Sequence, residues 1–311
     1  MSPGSLARAG GAISGDVAID RAPAPFVVGL TRSGTTLLRM MLDAHRELTI
    51  PPETHFVPDL IKAARDEGGT DELLAAMTGN RTWGDFGIAD SDMRERLASV
   101  ARGDAAGAVR AFFNAYAECQ GKPRWGDKTP AYMLAVQRIG RVLPESRFIH
   151  LIRDGRDVAL SQSARALNEQ PPPAEQADRW VKRIRKSREQ AGALKGARYV
   201  EARYEDLVRD PETTLRRICE FIDLAWDPRV LGYHERAAER LSEMARELRA
   251  EGRHAQQQAG YRIDNHAPTT KPPDPSKLDK WKRDMPPEDV VAYDGVAGEL
   301  LAELGYEVGL R

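Results

Sequence analysis

The 311-residue sequence is poor in several things that would narrow its class. It holds only two cysteines, Cys119 and Cys219, too few for a disulfide framework and without zinc-site spacing; both are expected to be buried or half-buried thiols. No stretch approaches the ~20 apolar residues of a membrane span. Met1 to Pro25 is rich in Gly, Ala, Pro and Ser and lacks the apolar run of a secretory signal. Neither sign of charge prevails, with 46 Lys and Arg against 47 Asp and Glu, which removes any global argument for nucleic acid or an anionic membrane as partner. The expectation is a disordered leader over 1–24, then a cytoplasmic protein folded as a single domain over 25–311.

One further absence is local. Gly29-Leu30-Thr31-Arg32-Ser33-Gly34-Thr35-Thr36 fits the phosphate-loop frame G-x-x-x-x-G-K-[ST] everywhere except at the lysine, where Thr35 stands. Such a loop keeps the backbone cradle and lacks the cation that acts on the γ-phosphate of ATP. Gly34 lets the backbone approach an anion, the N–H groups of the following helix point at it, and the helix dipole favours it. Thr35 and Thr36 add hydroxyls, and Arg32 adds a charged fork.

Around this loop the pattern alternates between strand and helix. Phe26–Gly29 reads as a strand and Thr35–His45 as a helix, with Leu37, Leu38, Met41 and Leu42 at helical spacing. Helical segments fill about 56–67, 71–77, 91–100 and 104–120. Arg147–Arg153 reads as a buried parallel strand, 157–167 as a helix, 175–195 as an amphipathic basic helix and 199–204 as a third strand. Helices are expected over 211–222, 232–258 and 288–304, with a Pro-punctuated irregular stretch at 259–280. Strands separated by helices imply an α/β fold, a P-loop-type parallel sheet covered on both faces.

Four more clusters carry candidate chemistry. Arg153 stands at a strand end, where ligands of α/β sheets bind. Ser161 and Arg165, four apart on the next helix, share its side, so the three could close on one phosphate. Arg156 and Asp157 read as surface or helix-start charges. In Pro52-Glu53-Thr54-His55, Glu53 or His55 could take a proton from a hydroxyl. Lys128, between Gly126 and Pro130, reads as a loop lysine. The run Lys271 to Trp281 is a basic loop that could cover a nucleotide or simply cross the surface.

Together, in this order, these segments resemble the sulfotransferases that use PAPS (3′-phosphoadenosine 5′-phosphosulfate), most closely the branch of the tyrosylprotein sulfotransferases and many bacterial enzymes. Arg32-Ser33-Gly34-Thr35-Thr36 matches the family's 5′-phosphosulfate loop. Arg153 through Ser161 matches its 3′-phosphate motif, with Arg165 at a further 3′-phosphate arginine. Tyr204-Glu205-Asp206-Leu207 and Pro211 resemble a segment whose tyrosine lies near the nucleotide. The loop ending at Lys280-Trp281 resembles the C-terminal nucleotide lid, about 265–285.

The resemblance implies the sulfotransferase fold, with helical insertions at about 56–120 and 232–266. It implies Glu53 as catalytic base and Lys128 as stabiliser of the transferring sulfuryl group. Asn265 occupies the place of a serine that assists the tyrosylprotein branch, and His266 beside it is another candidate donor. PAPS would be the co-substrate, 3′,5′-adenosine bisphosphate the product, and no metal would be required. The expected acceptor is a small-molecule hydroxyl, in a bacterial-type enzyme. Phe56, Trp83, Phe86, Phe112, Phe113 and Trp180 are possible aromatic walls for it, although burial statistics favour the core for most of them. The competing reading is a small-molecule kinase using ATP and Mg²⁺, which would need a substitute for the lysine missing at Thr35. A third is a nucleotide-binding protein without activity.

Overall fold

The computed structural model describes residues 21–164, 170–243 and 266–309. The expected leader therefore lies almost wholly outside the described residues, as do Arg165 and Asn265. The central sheet holds four parallel strands in the order β4-β1-β5-β6. These are β1 (Ala24–Val28), β4 (Asp127–Lys128), β5 (Ser146–Ile152) and β6 (Tyr199–Arg203). Two more short strands, β2 (Leu48–Thr49) and β3 (Arg124–Trp125), pair in parallel beside it.

Strand periodicity explains the two-sided core. Side chains alternate across a sheet, and both faces here are covered. Phe26, Val28, Phe148 and Ile152 enter one hydrophobic cluster, while Val27, Ile149 and Leu151 enter the other. That is why these strands read as continuous apolar runs rather than as alternating ones.

The expected helices match, where they are described, to within a few residues at each end, whereas the helices Val136–Val142 and Tyr204–Arg209 were not foreseen. α1 (Thr35–Asp43) follows the phosphate loop. α2 (Val57–Arg65), α3 (Thr70–Thr78), α4 (Asp90–Ala98) and α5 (Ala105–Cys119) make up a helical segment before β3. Its aromatic residues pack on one another: the Phe56 and Phe112 ring centroids are 4.8 Å apart, and Phe86 and Phe112 5.0 Å. Phe56, Trp83, Phe86, Phe112, Phe113 and Trp180 are all buried in one core cluster. Edge-to-face packing makes them structural, and none lines the site described below.

After α6 (Val136–Val142) and β5 come α7 (Gly155–Ser163) and α8 (Pro173–Gly192). α8 opens on Pro173, the position where a proline fits a helix. Then α9 (Tyr204–Arg209), α10 (Pro211–Phe221) and α11 (His234–Ser242) surround the second cluster. Of the expected 232–258 helix, α11 is the described part. The closing helix spans Pro287–Glu303. Cys219 is buried, but Cys119 is exposed at the end of α5, contrary to expectation. Among the described residues no helix is long and apolar enough to cross a membrane.

Lys128 is not on a loop. Asp127 and Lys128 form β4, paired to Phe26 and Val27. Gly126 sets this up, its N–H bonding Thr49 O at 2.9 Å, and a Cβ there would meet Pro25. The β2–β3 pair thus brings the chain leaving Thr49 alongside the chain entering β4.

Candidate active site

The site lies at the carboxyl ends of β1, β4 and β5, where an open parallel sheet leaves a crevice. A cavity of about 680 Å³ occupies it. Thr31, Arg32, Gly34, Thr35, Thr36 and Leu37 form its floor, and residues 266–274 with Lys277 also line it.

The floor is an anion cradle. Gly34 caps α1 with φ 89° and without a side-chain cap, and the first turn carries no acidic residue. The first N–H groups of the helix are therefore left for a ligand. Arg32 also holds a positive φ, 78°, a sparsely populated state for a residue with a Cβ. Its Nε donates to Ser161 Oγ at 3.1 Å, which joins the phosphate loop to α7. Ser33 is fully buried, does not line the cavity, and its hydroxyl has no hydrogen-bond partner among the described residues.

Arg153 is the second arm. Its Nη1 donates to Arg32 O at 3.3 Å, and its Nη2 donates to Asp157 Oδ2 at 3.2 Å and to Lys277 O at 3.3 Å. The guanidinium stands 4.8 Å from the centroid of the Tyr204 ring. Tyr204 in turn closes against Gly34, where any Cβ would clash with the ring. Arg32, Ser161, Arg153 and Tyr204 are thereby brought together.

Arg156 and Asp157 are interior residues rather than surface charges. Arg156 is fully buried, bonded to Asp154 and Asp294 and stacked 3.5 Å from the centroid of the Trp281 ring. Asp157 Oδ1 accepts the Trp281 N–H at 2.9 Å. The charge run looked solvated because its partners Trp281 and Asp294 are more than a hundred residues away. Trp281 itself is buried at the end of the 271–281 run. Lys280 does not line the cavity; Lys271 and Lys277 do. Tyr233, which the sequence reading missed, also lines the cavity and donates from its hydroxyl to Lys271 O at 2.6 Å.

Glu53 and Lys128 meet at the inner end. Lys128 Nζ stands 2.5 Å from Glu53 Oε1 and donates to Thr36 Oγ1 at 3.3 Å. His55 Nε2 lies 3.0 Å from the other oxygen, Glu53 Oε2, and His55 has a left-handed φ of 54°. Burial pushes the Glu53 carboxyl up, but Lys128 and His55 overcome that and hold it far below the usual carboxylate range. Burial pulls the Lys128 ammonium down, opposed by Glu53. His266 lines the cavity here; burial, with Lys128 nearby, pushes it down to about 3, so it is neutral at physiological pH. A carboxylate base, an ammonium and an anion-binding helix start within one crevice can move a negatively charged group onto a hydroxyl.

A family profile described as the sulfotransferase family matches residues 23–228, the span that holds the phosphate loop, Glu53, Lys128 and Arg153. The chain belongs to the sulfotransferase family. Two similar sulfotransferases are known in nematodes. Protein-tyrosine sulfotransferase A of Caenorhabditis elegans is 27% identical over 92% of this chain and 67% of its own length. A putative protein-tyrosine sulfotransferase of Caenorhabditis briggsae is 30% identical over 68% of this chain and 69% of its own. Among solved structures, the sulfotransferase domain of the curacin biosynthetic pathway superposes with a TM-score of 0.60 at 20% identity, covering 93% of this chain and 99% of that one. The sulfotransferase domain of the Synechococcus PCC 7002 olefin synthase gives 0.60 at 24%, covering 92% and 95%. These two likenesses establish the sulfotransferase fold, with its parallel sheet and flanking helices.

Proposed function

We propose that this sulfotransferase moves the sulfuryl group of PAPS to a hydroxyl of a small-molecule acceptor, with Glu53 as general base and Lys128 stabilising the transferring group. The observation that carries the reading is the contact of Lys128 with both Glu53 and Thr36 at the end of the anion cradle. The new S–O bond forms to the acceptor oxygen while the bond to the bridging phosphate oxygen breaks. The acceptor proton goes to Glu53, and 3′,5′-adenosine bisphosphate leaves. Arg32 and the N–H groups of α1 offset charge on the sulfuryl and bridging oxygens. Arg153, Ser161 and Tyr204 are assigned to the nucleotide's 3′-phosphate side, with Lys271 and Lys277 above it.

Glu53 is ionised well before any substrate arrives, because Lys128 and His55 hold it so. A sulfuryl group drawing Lys128 towards itself weakens that pairing and makes Glu53 a stronger base. Donor binding and base strength are thus linked through one ammonium. His55 is assigned to orient the carboxylate through Oε2.

Two measurements test the reading. Calorimetry with adenosine bisphosphate and with ATP, each with and without Mg²⁺, should show metal-independent bisphosphate binding. Magnesium-dependent ATP binding with no bisphosphate binding would sink the donor assignment. Incubation with labelled PAPS and two acceptor sets, small phenols and alcohols against tyrosine peptides, then assigns the acceptor. Label only on the peptides would replace the small-molecule acceptor with the kind that the relatives' names point to.

A further inference from the structure

Glu53 and Lys128 sit on different parts of the chain, and neither is held in place by the cavity. What joins their backbones is a buried polar cluster behind them. Thr54, beside Glu53, and Asp127, Thr129 and Tyr132, around Lys128, are all buried. Thr54 Oγ1 donates to Asp127 Oδ1 at 2.8 Å, and the Thr54 N–H donates to Thr129 Oγ1 at 3.0 Å. Thr129 Oγ1 lies 3.3 Å from the same Asp127 oxygen. Tyr132 Oη is 2.8 Å from Thr54 Oγ1 and accepts the Val57 N–H at 3.0 Å.

Thr54 Oγ1 and Thr129 Oγ1 are themselves 3.3 Å apart. In one arrangement of hydrogens that makes the contacts to Asp127, the Tyr132 proton goes to Thr54, and the Thr54 and Thr129 protons both go to Asp127 Oδ1. The three hydroxyls then run towards that one oxygen. The second carboxyl oxygen, Oδ2, has no hydrogen-bond partner among the described residues. A buried polar cluster of this kind fixes geometry because any unmade bond leaves a desolvated donor.

We propose that Asp127 is a positioning residue for sulfuryl transfer: through Thr54 and Thr129 it fixes the backbone of Glu53 against that of Lys128. This rests on the assignment of Glu53 and Lys128 to the chemistry. Asp127 touches neither the cavity nor the reacting atoms, and its acceptor oxygen is the part that matters.

The test uses the full chain with Thr54→Val, which is nearly isosteric and removes the central link, and with Thr54→Ser and Asp127→Asn, which keep the hydroxyl and the acceptor oxygen. Misplacing reacting groups by about 1 Å costs ~10²-fold, so Thr54→Val should lose roughly 10–100-fold in kcat, and the two conservative variants should stay within about threefold of wild type. Calorimetric affinity for adenosine bisphosphate should be unchanged in all three. If Thr54→Val does not fold, Thr129→Val, which removes the bonds of Thr129 to the Thr54 N–H and to Asp127, takes its place. A second readout needs no substrate: the ¹⁵N resonance of the Lys128 ammonium, paired with Glu53, should move in Thr54→Val and not in Thr54→Ser. Unchanged kcat and an unchanged ammonium resonance in Thr54→Val would overturn the proposal. A moved resonance in a protein that, as wild type, neither binds bisphosphate nor uses PAPS would uphold the positioning and defeat the donor reading instead.

Discussion

Lys128 Nζ lies 2.5 Å from Glu53 Oε1, and its side chain is almost completely buried while that of Glu53 is 26% exposed. The ammonium is thus reached from the cavity only past the carboxylate and Thr36. Replacing Glu53 with alanine removes the base and leaves the phosphate loop untouched. The expected loss in kcat is ~10²–10⁴, the usual worth of general base catalysis, with adenosine bisphosphate affinity nearly unchanged. Steady-state kinetics with calorimetry checks both halves. Turnover that survives the substitution would move the base role to His55.

Lys128→Met tests the electrostatics of the same pair. The Glu53 carboxyl sits below its ordinary value because Lys128 and His55 outweigh its burial. A depressed carboxyl contributes stability that is complete above its unfolded value, near 4.5, and that fades as pH falls below it. Without Lys128, burial dominates and the carboxyl titrates higher. The acid limb of any residual activity should therefore move to higher pH, and the variant should lose stability at a higher pH than wild type. Rate–pH profiles and acid unfolding read the two effects; limbs that coincide would refute the coupling.

Much of this site was legible because its parts sit at the ends of strongly apolar strands. The phosphate loop and Arg153 follow β1 and β5, whose runs of buried residues read clearly. Lys128 was harder to place. A two-residue strand between Gly126 and Pro130 has no periodicity to show, and only its pairing with Phe26 and Val27 makes it part of the sheet. Arg156 and Asp157 read as solvated because sequence shows charge and not the distant Trp281 and Asp294 that bury it. The lysines of the 271–280 run were legible as a basic loop, but which of them line the cavity depends on how the chain is held at buried Trp281.

Two arginines three residues apart should fail in different ways. Arg153 borders the cavity, and a hydrogen bond to a charged group contributes about 1.5–3 kcal/mol. Arg153→Ala should therefore weaken adenosine bisphosphate binding by roughly 10–100-fold and leave a folded protein. Arg156→Ala strips the partner from buried Asp154 and Asp294, a loss of about 3–5 kcal/mol of stability when one member of a buried pair is removed. Calorimetry and urea unfolding on both variants separate the outcomes. Equal effects of the two on binding would contradict the division.

Gly34→Ala should damage binding through Tyr204. Alanine at φ 89° is strained in itself, by roughly 1–2 kcal/mol, and its methyl group would run into the Tyr204 ring. The ring must then move, carrying with it the face on which Arg153 rests. Bisphosphate affinity should fall, and adding Tyr204→Ala should relieve part of the lost stability while leaving affinity low. Thermal unfolding that shows no relief in the double variant would mean that the backbone strain alone accounts for the loss.

The pH dependence of stability offers a test of Asp127 that is independent of turnover. Burial raises its carboxyl to about 7 from an ordinary 3.8, against the Thr54 and Thr129 hydroxyls and the charges of Lys128 and His55. A raised folded value means that the native state holds a proton which the unfolded chain has released. The contribution is then complete below 3.8 and declines as pH rises, until it is lost above about 7. His150 works in the opposite sense: buried beside Tyr199, Glu201 and Arg188, it is pushed down to about 4 from 6.5. Its contribution is complete above 6.5 and is lost as pH falls towards 4. The two slopes oppose each other over much of the acid range, where other shifted carboxyls also titrate, so the difference between variant and wild type isolates Asp127. Asp127→Asn removes one of them. Relative to wild type, the variant should gain stability steadily as pH rises from about 4 to about 7, and the difference should then level off. Urea midpoints for the two proteins across that range measure it. A difference that stays constant with pH would mean that Asp127 is ionised throughout, with Lys128 rather than burial setting its state.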